Sequence, residues 1–451
     1  MGVIHDRIAR RSLTPGARLP SIRAFAETMQ VSKSTVVEAY DRLAAEGAIR
    51  SRPGSGFFVA APLAPLALAE IGPRLDHAVD PFWVSRQSLE AGADMLKPGC
   101  GWLPAEWMPV ESLRRALRGI IRTAEPATLT DYGSPRGLPA LRQLLARRMV
   151  ERGIETAPDQ ILITESCTQA LDLLCRFLIE PGDTVLVDDP CYFNFLALLR
   201  AHRAKVVGVP LTPAGPDLAL FAQALSEHRP RLYITNSGLQ NPTGASLQPS
   251  VAHRLLKLAA EHGLIVIEDD IFADFEHEPA PRLAELDGLE RVIRIASCSK
   301  TLSASVRCGY IAGPRDWIDN LVDLRIAADF SSRRLSAELV LTALTDGSYR
   351  KHMEALRARL AKAMAATSRR LKGLGIEPWL DPEAGMFLWC RLPDGLDAGE
   401  VARRALGEKV VLAPGNAFSP SQTAPDFMRF NVAQCADDRV FKVLERAMRS
   451  E

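Results

Sequence analysis

At 451 residues and 47% hydrophobic, the chain has apolar material for a sizeable core and the length of two or three domains, which excludes a disordered protein. Its 55 basic and 54 acidic side chains balance, but residues 1–59 hold nine basic against five acidic, so only the N-terminal stretch suits a polyanion. The absence of an apolar leader and of any run of about eighteen apolar residues predicts neither signal peptide nor membrane span. The eight cysteines show no C-x-x-C pair or zinc-type spacing, so no disulfide framework and no metal is expected, as fits a reducing cytoplasm.

Val3 to Arg11 predicts a short helix closed by Thr14-Pro15-Gly16. Ser21 can cap a second helix, whose Ile22, Phe25, Ala26 and Met29 form one apolar stripe. After a turn at Gln30 and Val31, a third helix starts from Ser32 with Val36, Ala39, Tyr40 and Leu43 facing inward. Its first turn offers Lys33 and the hydroxyls of Ser32, Ser34 and Thr35, which can reach phosphates and base edges in a major groove. Ala48 to Val59 predicts a two-stranded wing with Arg50 and Arg52 before a glycine-rich tip. A generic three-helix cap with a hairpin shares this outline.

The details are more specific. Leu19-Pro20-Ser21-x-Arg23, Val31-Ser32-x-x-Thr35-Val36-x-x-Ala39-Tyr40-x-x-Leu43, Glu46-Gly47 and Gly54-Ser55-Gly56-x-Phe58-Val59 together resemble the winged helix-turn-helix of GntR-type transcriptional regulators. The resemblance implies double-stranded DNA as partner, with Arg23, Ser32, Lys33, Ser34 and Thr35 as contact candidates and Gly54 and Gly56 at the wing tip. The first helix is shorter than that family's. Pro62, Pro65 and Pro73 then mark residues 61–80 as a semi-stiff linker between a module at 1–60 and a body at 81–451.

In the body, short apolar runs alternate with amphipathic helical stretches. The runs are Ile161–Thr164, Thr184–Asp188, Leu232–Thr235, Leu264–Ile267, Val292–Ile295 and Gly309–Ala312. This alternation predicts an α/β large lobe over about 130–330, a largely parallel sheet with helices on both faces. A long helical stretch from Ser336 to Leu374 follows. Strands at Met386–Cys390, Val410–Leu412 and Met428–Ala433 and a last helix then predict a smaller α+β lobe over about 331–451, joined by the N-terminal segment of the body.

The candidate chemistry falls at the strand ends. Ser297-Cys298-Ser299-Lys300 follows an apolar strand, where open α/β sheets place ligands, and a partly desolvated lysine there is a nucleophile toward an aldehyde. Asn241-Pro242-Thr243-Gly244, Glu268-Asp269-Asp270 and Asp188-Asp189-Pro190-Cys191-Tyr192 each read equally well, taken singly, as turns or caps.

Their order carries more. Tyr132, Ser166-Cys167-Thr168, Tyr192, Asn241, Asp269, Lys300, Arg307 and Arg429 follow one another as in fold-type I aminotransferases, and with the winged module the chain resembles the MocR subgroup of GntR-type regulators. The resemblance implies pyridoxal 5′-phosphate as cofactor, with Lys300 and Asp269 as catalytic candidates: Lys300 on the aldehyde, Asp269 on the pyridinium nitrogen. It implies Asn241 at the phenolic oxygen, Tyr192 on the ring face, and Cys167, Thr168, Ser297 and Arg307 as a phosphate cup. Arg429 would grip a carboxylate, and Tyr132 would serve the other subunit of a homodimer.

Departures from the pattern are Ile271-Phe272 where a tyrosine is usual, Cys167 where glycine is common, and Ala304-Ser305-Val306 before Arg307. They bear on turnover more than on cofactor binding. The implied function is a regulator that senses an amino acid or amine through external aldimine formation at Lys300. The alternatives are an aminotransferase working between an amino acid and a 2-oxo acid, and a sensor of the cofactor itself.

Overall fold

A computed structural model describes residues 1–9, 12–14, 16–52, 54–60, 80–92 and 94–449. The chain divides into two compact units, Met1–Glu70 and Ile71–Glu451. The predicted linker, apart from Asp80, lies outside the described residues. No helix among the described residues is long and apolar enough to cross a membrane.

The first unit has helices α1 (Gly2–Ala9), α2 (Ile22–Met29) and α3 (Lys33–Ala45), and strands β1 (Ile49–Arg52) and β2 (Gly56–Val59) paired antiparallel. Its core gathers Ile4, Leu19, Ala26, Val36, Tyr40 and Leu43 around the fully buried Tyr40 ring, whose hydroxyl donates to the Pro20 carbonyl at 2.9 Å. That bond satisfies the one polar atom the ring brings inside. Ser21 caps α2 as predicted, accepting from Ala24 N–H. The apolar stripe of α2 ends sooner than its spacing suggests: Met29 is exposed, because Gln30 turns into the left-handed region and takes the chain away.

The second unit is built on an eight-stranded sheet of order β3-β10-β9-β8-β7-β4-β5-β6. The strands are β3 (Ile161–Thr164), β4 (Thr184–Asp189), β5 (Lys205–Thr212), β6 (Gly215–Pro216), β7 (Leu232–Thr235), β8 (Ile265–Asp269), β9 (Val292–Ser297) and β10 (Gly309–Ala312). β9, β8, β7, β4 and β5 run parallel, and β10 is antiparallel to both β9 and β3. Alternate residues enter two cores on opposite faces. Ile161, Ile163, Leu186 and Val266 join one; Leu162, Val185, Val187 and Ile267 join the other. A sheet covered on both faces therefore reads as unbroken aliphatic runs. β5 breaks its valines with Gly208 and Pro210 and buries only Val209, so Lys205–Thr212 escapes an apolar-run reading.

The smaller sheet, β11 (Glu377–Pro378), β12 (Phe387–Arg391), β13 (Ala413–Pro414) and β14 (Phe427–Asn431), has the order β11-β12-β14-β13 and is antiparallel. The predicted long helix is two, Arg334–Thr345 and Ser348–Lys372, broken at Asp346-Gly347, where the Asp346 carboxylate accepts from Ser348 N–H. Val410–Leu412 precedes the assigned strand and instead brackets residues 96–99: Leu96 N–H donates to Lys409, and Gly99 N–H to Val411. This pairing brings the segment Pro98–Trp102 to the sheet's ligand edge. The carboxyl ends of β4, β7, β8 and β9 meet there with the start of the helix Cys167–Leu178.

Candidate functional site

Three consecutive acids end β8 or follow it, and all are buried: Glu268, Asp269 and Asp270. A strand sends neighbours to opposite faces, so their fates differ. Glu268 accepts two N–H groups at the start of the helix Leu283–Asp287, from Leu283 at 2.8 Å and Ala284 at 3.0 Å. Asp270 is held by two buried guanidinium groups, Arg282 at 2.7 Å and Arg294 at 2.6 Å; burial pushes its pKa up, but these charges outweigh it and hold the group below its ordinary value. Asp269 points into the cleft and takes hydrogen bonds from Ile271 N–H, at 3.2 Å, from the Cys167 thiol and from the Asn236 side chain. Burial with no ion pair among the described residues raises its pKa to about 7.

Lys300 stands in the turn after β9, formed as Ser299 N–H and Ser299 Oγ bond to Ser297 Oγ. Its Nζ donates to the Gly101 carbonyl at 2.7 Å. Its pKa is lowered, first by burial and then by the Arg429 charge. Arg429, on β14, is fully buried: it donates to Asn241 Oδ1 at 2.8 Å and to the Gly99 carbonyl at 2.5 Å, while its Nε has no hydrogen-bond partner among the described residues. The rings of Phe387 and Phe418 lie 4.4 and 4.7 Å from its guanidinium carbon, and burial lowers its pKa to about 10. A Cβ placed on Gly101 would come within 3.9 Å of Lys300 Nζ and 4.0 Å of Arg429 Nη2. One small space is thus flanked by a nucleophilic amine and a carboxylate-binding fork.

Across the cavity, of about 310 Å³, the helix Cys167–Leu178 begins. Ser166 caps it by accepting from Gln169 N–H, which leaves the N–H groups of Cys167 and Thr168 without helical acceptors and facing the cavity with the helix dipole behind them. Ser297 and Arg307 line the same end, and Arg307, exposed and at φ +54°, makes no hydrogen bond or ion pair among the described residues. Thr168 Oγ1 accepts from Asn194 at 3.4 Å. Tyr192 lines the wall, its ring set by edge and tilted contacts with Phe195 and Phe193; burial raises its hydroxyl pKa. Asn241, behind a cis bond to Pro242, has its oxygen taken by Arg429 and its amide nitrogen left to donate.

One predicted site residue lies elsewhere. Tyr132 is 77% exposed, packs on Phe330 at 4.8 Å and does not line this cavity. Residues outside the motifs complete the wall: Gly101, Trp102, Ser88 and Leu89 line it, and Asn236 holds the Asp269 carbonyl at 2.8 Å. Their only trace in the sequence is the turn chemistry of Pro98-Gly99-Cys100-Gly101. Phe272, where the pattern expects a tyrosine, is buried edge-on to Phe387 at 5.6 Å.

In the first unit, Ser32 is the N-cap of α3 rather than its first residue, and its Oγ lies 2.7 Å from Ser34 Oγ and 2.8 Å from Thr35 Oγ1. The three hydroxyls therefore knit the helix start together before any partner arrives. Lys33 is exposed with no partner among the described residues, while Arg23 is exposed beside Glu27 at 3.3 Å. At the wing tip, Gly54 (φ +72°) and Gly56 (φ +96°) sit in backbone conformations that disfavour other residues.

The family model "Aminotransferase class I and II" matches residues 104–446, and "Bacterial regulatory proteins, gntR family" matches residues 2–59. The uncharacterized HTH-type transcriptional regulator YdcR of Escherichia coli is 31% identical over 95% of this chain and 93% of its own. The chain belongs to the MocR-type regulators. This MocR-type chain is also 31% identical to the 2-aminoadipate transaminase of Thermus thermophilus, over 74% of its length and 84% of that protein's. A solved structure of LysN, the α-aminoadipate aminotransferase of the same organism, complexed with N-(5′-phosphopyridoxyl)-L-leucine, aligns with TM-score 0.74 at 28% identity, over 81% of this chain and 94% of that one.

The cofactor of this family is pyridoxal 5′-phosphate, and the MocR-type cleft fits it. A buried carboxylate lacking a cation, an amine of lowered pKa, a helix start and an unpaired arginine are the donors that its ring nitrogen, aldehyde and phosphate require. When bound, the cofactor supplies an aldehyde for amines and a ring that withdraws electrons. Asp269 would hold the ring-nitrogen proton, Asn241 Nδ2 would donate to the phenolic oxygen, and Arg429 would orient a carboxylate beside Lys300.

Proposed function

We propose that this chain is a pyridoxal 5′-phosphate-dependent transcriptional regulator in which residues 1–60 bind DNA and residues 81–451 sense an amino compound at Lys300. The observation that carries the reading is the approach of Lys300 Nζ and Arg429 Nη2 to one point above Gly101, in a chain that opens with a winged module. Sensing requires that the amino compound favour one arrangement of the protein over another, since equal affinity for both shifts nothing.

The test is a mobility shift with the chain's own upstream DNA at stated ionic strength. Arg23→Ala with Lys33→Ala should abolish the shift and keep the cofactor's visible absorbance. Lys300→Ala should erase that absorbance and make the DNA complex indifferent to amino compounds. A protein without DNA affinity at low salt that turns over an amino acid and a 2-oxo acid repeatedly would instead be an aminotransferase. The second reading is favoured by the assembled Lys300, Asp269 and Arg429 set and by the relation to the transaminase.

We infer, further, that the chain works as a homodimer. Ile121, Leu129, Tyr132 and Phe330 are all more than half exposed, an apolar surface that a second copy would cover. Sedimentation should give twice 49.3 kDa; a monomer across the micromolar range would refute this.

A further inference from the structure

Lys300 and Arg429 come to one point from different sheets, the amine from the turn after β9 and the guanidinium from β14. A lysine side chain is long and flexible, so its amine is well placed only where the backbone beneath it is fixed. The turn closes on itself through Leu302 N–H and Ser303 N–H, which donate to the Cys298 carbonyl at 2.9 and 3.2 Å. What anchors it to the rest of the protein is the residue next to the lysine.

Thr301 is buried and takes no part in lining the cleft; it faces a separate narrow space with Arg148 and Asp274. The helix Ser348–Lys372 holds it there twice. Tyr349 and His352 stand three residues apart and so share a face of that helix. Tyr349 Oη lies 2.8 Å from a carboxylate oxygen of Asp274 and 3.0 Å from Thr301 Oγ1. With one proton to give, it donates to the carboxylate and accepts from the threonine hydroxyl. Burial pushes the pKa of Asp274 up, but the charges of Arg148 and Arg152 outweigh it and keep this acceptor ionised. His352 Nε2 donates to the Thr301 carbonyl at 2.9 Å. A carbonyl only accepts, so this bond fixes the ring proton on Nε2.

The same helix lies against β11 and β12, and β12 pairs with β14, the strand of Arg429. One assembly thus carries the guanidinium and grips the residue beside the amine.

We propose that Tyr349 and His352 are positioning residues for Lys300: by holding Thr301 from its side chain and its carbonyl, they set where the amine stands and how readily it joins the cofactor's aldehyde, with release of one water. The proposal rests on the reading of Lys300 as the amine that takes the aldehyde.

The experiment compares two forms of the cofactor on the full-length protein freed of it. Pyridoxal 5′-phosphate can be joined to Lys300. Pyridoxamine 5′-phosphate has the same ring and phosphate but no aldehyde, and cannot. His352→Leu and Tyr349→Phe should each loosen the first by roughly tenfold, read from the visible absorbance, and leave the calorimetric affinity for the second within about twofold of the unaltered protein. His352→Gln, which keeps an N–H for the Thr301 carbonyl, should recover most of the loss. Tyr349→Phe removes a single oxygen, so the comparison stands on it even where His352→Leu does not fold. Equal loosening of both forms, or none, would overturn the proposal and leave the reading of Lys300 standing. A Lys300→Ala protein that holds pyridoxal 5′-phosphate as tightly as the unaltered protein would overturn that reading, and this proposal with it.

Discussion

Lys33 and Lys300 each follow a serine, and each serine hydroxyl is engaged with its neighbours, yet the two lysines serve opposite designs. Lys33 stands in solvent at the start of α3, and Arg23, Ser34 and Thr35 around it are exposed too. A polyanion can find them there and exchange its counterions for them. Lys300 is closed in between Gly101, Asp269 and Arg429, where burial and a like charge depress its pKa. Charge at the DNA-facing surface is kept by water. At the end of β8 it is rationed by desolvation, so a buried acid there is either paired, as Asp270 is, or shifted, as Asp269 is. The difference separates residues that work by being reachable from residues that work by being out of place energetically.

The largest expected effect lies at the end of β8, behind the cleft. Asp270→Asn leaves Arg282 and Arg294 buried with one partner fewer and should destabilise the body by about 3–5 kcal/mol, seen as a lowered denaturation midpoint. Asp269→Asn, one residue away, should not lower that midpoint and should weaken cofactor retention roughly 10- to 100-fold, the worth of a charge-assisted hydrogen bond. Equal losses of stability in the two variants would break the distinction between a paired and a waiting carboxylate.

A second effect is pH dependence. Asp269 has a folded pKa of about 7, above the ordinary aspartate value of about 3.9. The folded protein then holds a proton that the unfolded chain has lost. This contribution to stability is present in full below about pH 4 and disappears as pH rises through about 7. Cofactor-free protein should therefore lose stability by a few kcal/mol between about pH 4 and 7, and the Asp269→Asn protein should lack that component. Added cofactor should flatten the decline, because a cationic ring nitrogen favours the ionised carboxylate. Urea midpoints measured from about pH 4 to 8 decide this.

The smallest effects belong to the winged module. Lys33→Ala should weaken DNA binding almost equally across sequences and reduce the salt slope by about 1 if it contacts a phosphate. Ser32→Ala should act differently, costing about 1 kcal/mol of helix-start stability, because its hydroxyl accepts from Thr35 N–H. Measuring melting and DNA affinity on both variants separates contact from capping.

Much of this architecture is legible along the chain. The strands of the sheet centre are readable because burial on both faces turns them into aliphatic runs, and Lys205–Thr212 is not, because Gly208 and Pro210 interrupt its valines. Tyr40 and Leu43 follow from helical spacing alone, whereas Met29 does not, since the turn at Gln30 lifts it out of the core. Among Glu268, Asp269 and Asp270, composition offers no way to choose: all three are acids at a strand end. Alternation across the sheet makes the middle one different, but its lack of a cation depends on where Arg282 and Arg294 come from.

The sequence by itself determined the two-part organisation and the alternating α/β body, because these rest on local periodicity and on turn chemistry carried by adjacent residues; its motif order implied the cofactor through the resemblance to fold-type I aminotransferases. Tertiary structure alone decided that Arg429 reaches the same point as Lys300, that Asp269 is buried with no ion pair among the described residues, and that Gly101 and Trp102 complete the cavity wall. Those are properties of space shared by distant segments, and desolvation, which sets their chemistry, has no value until the chain has closed around them.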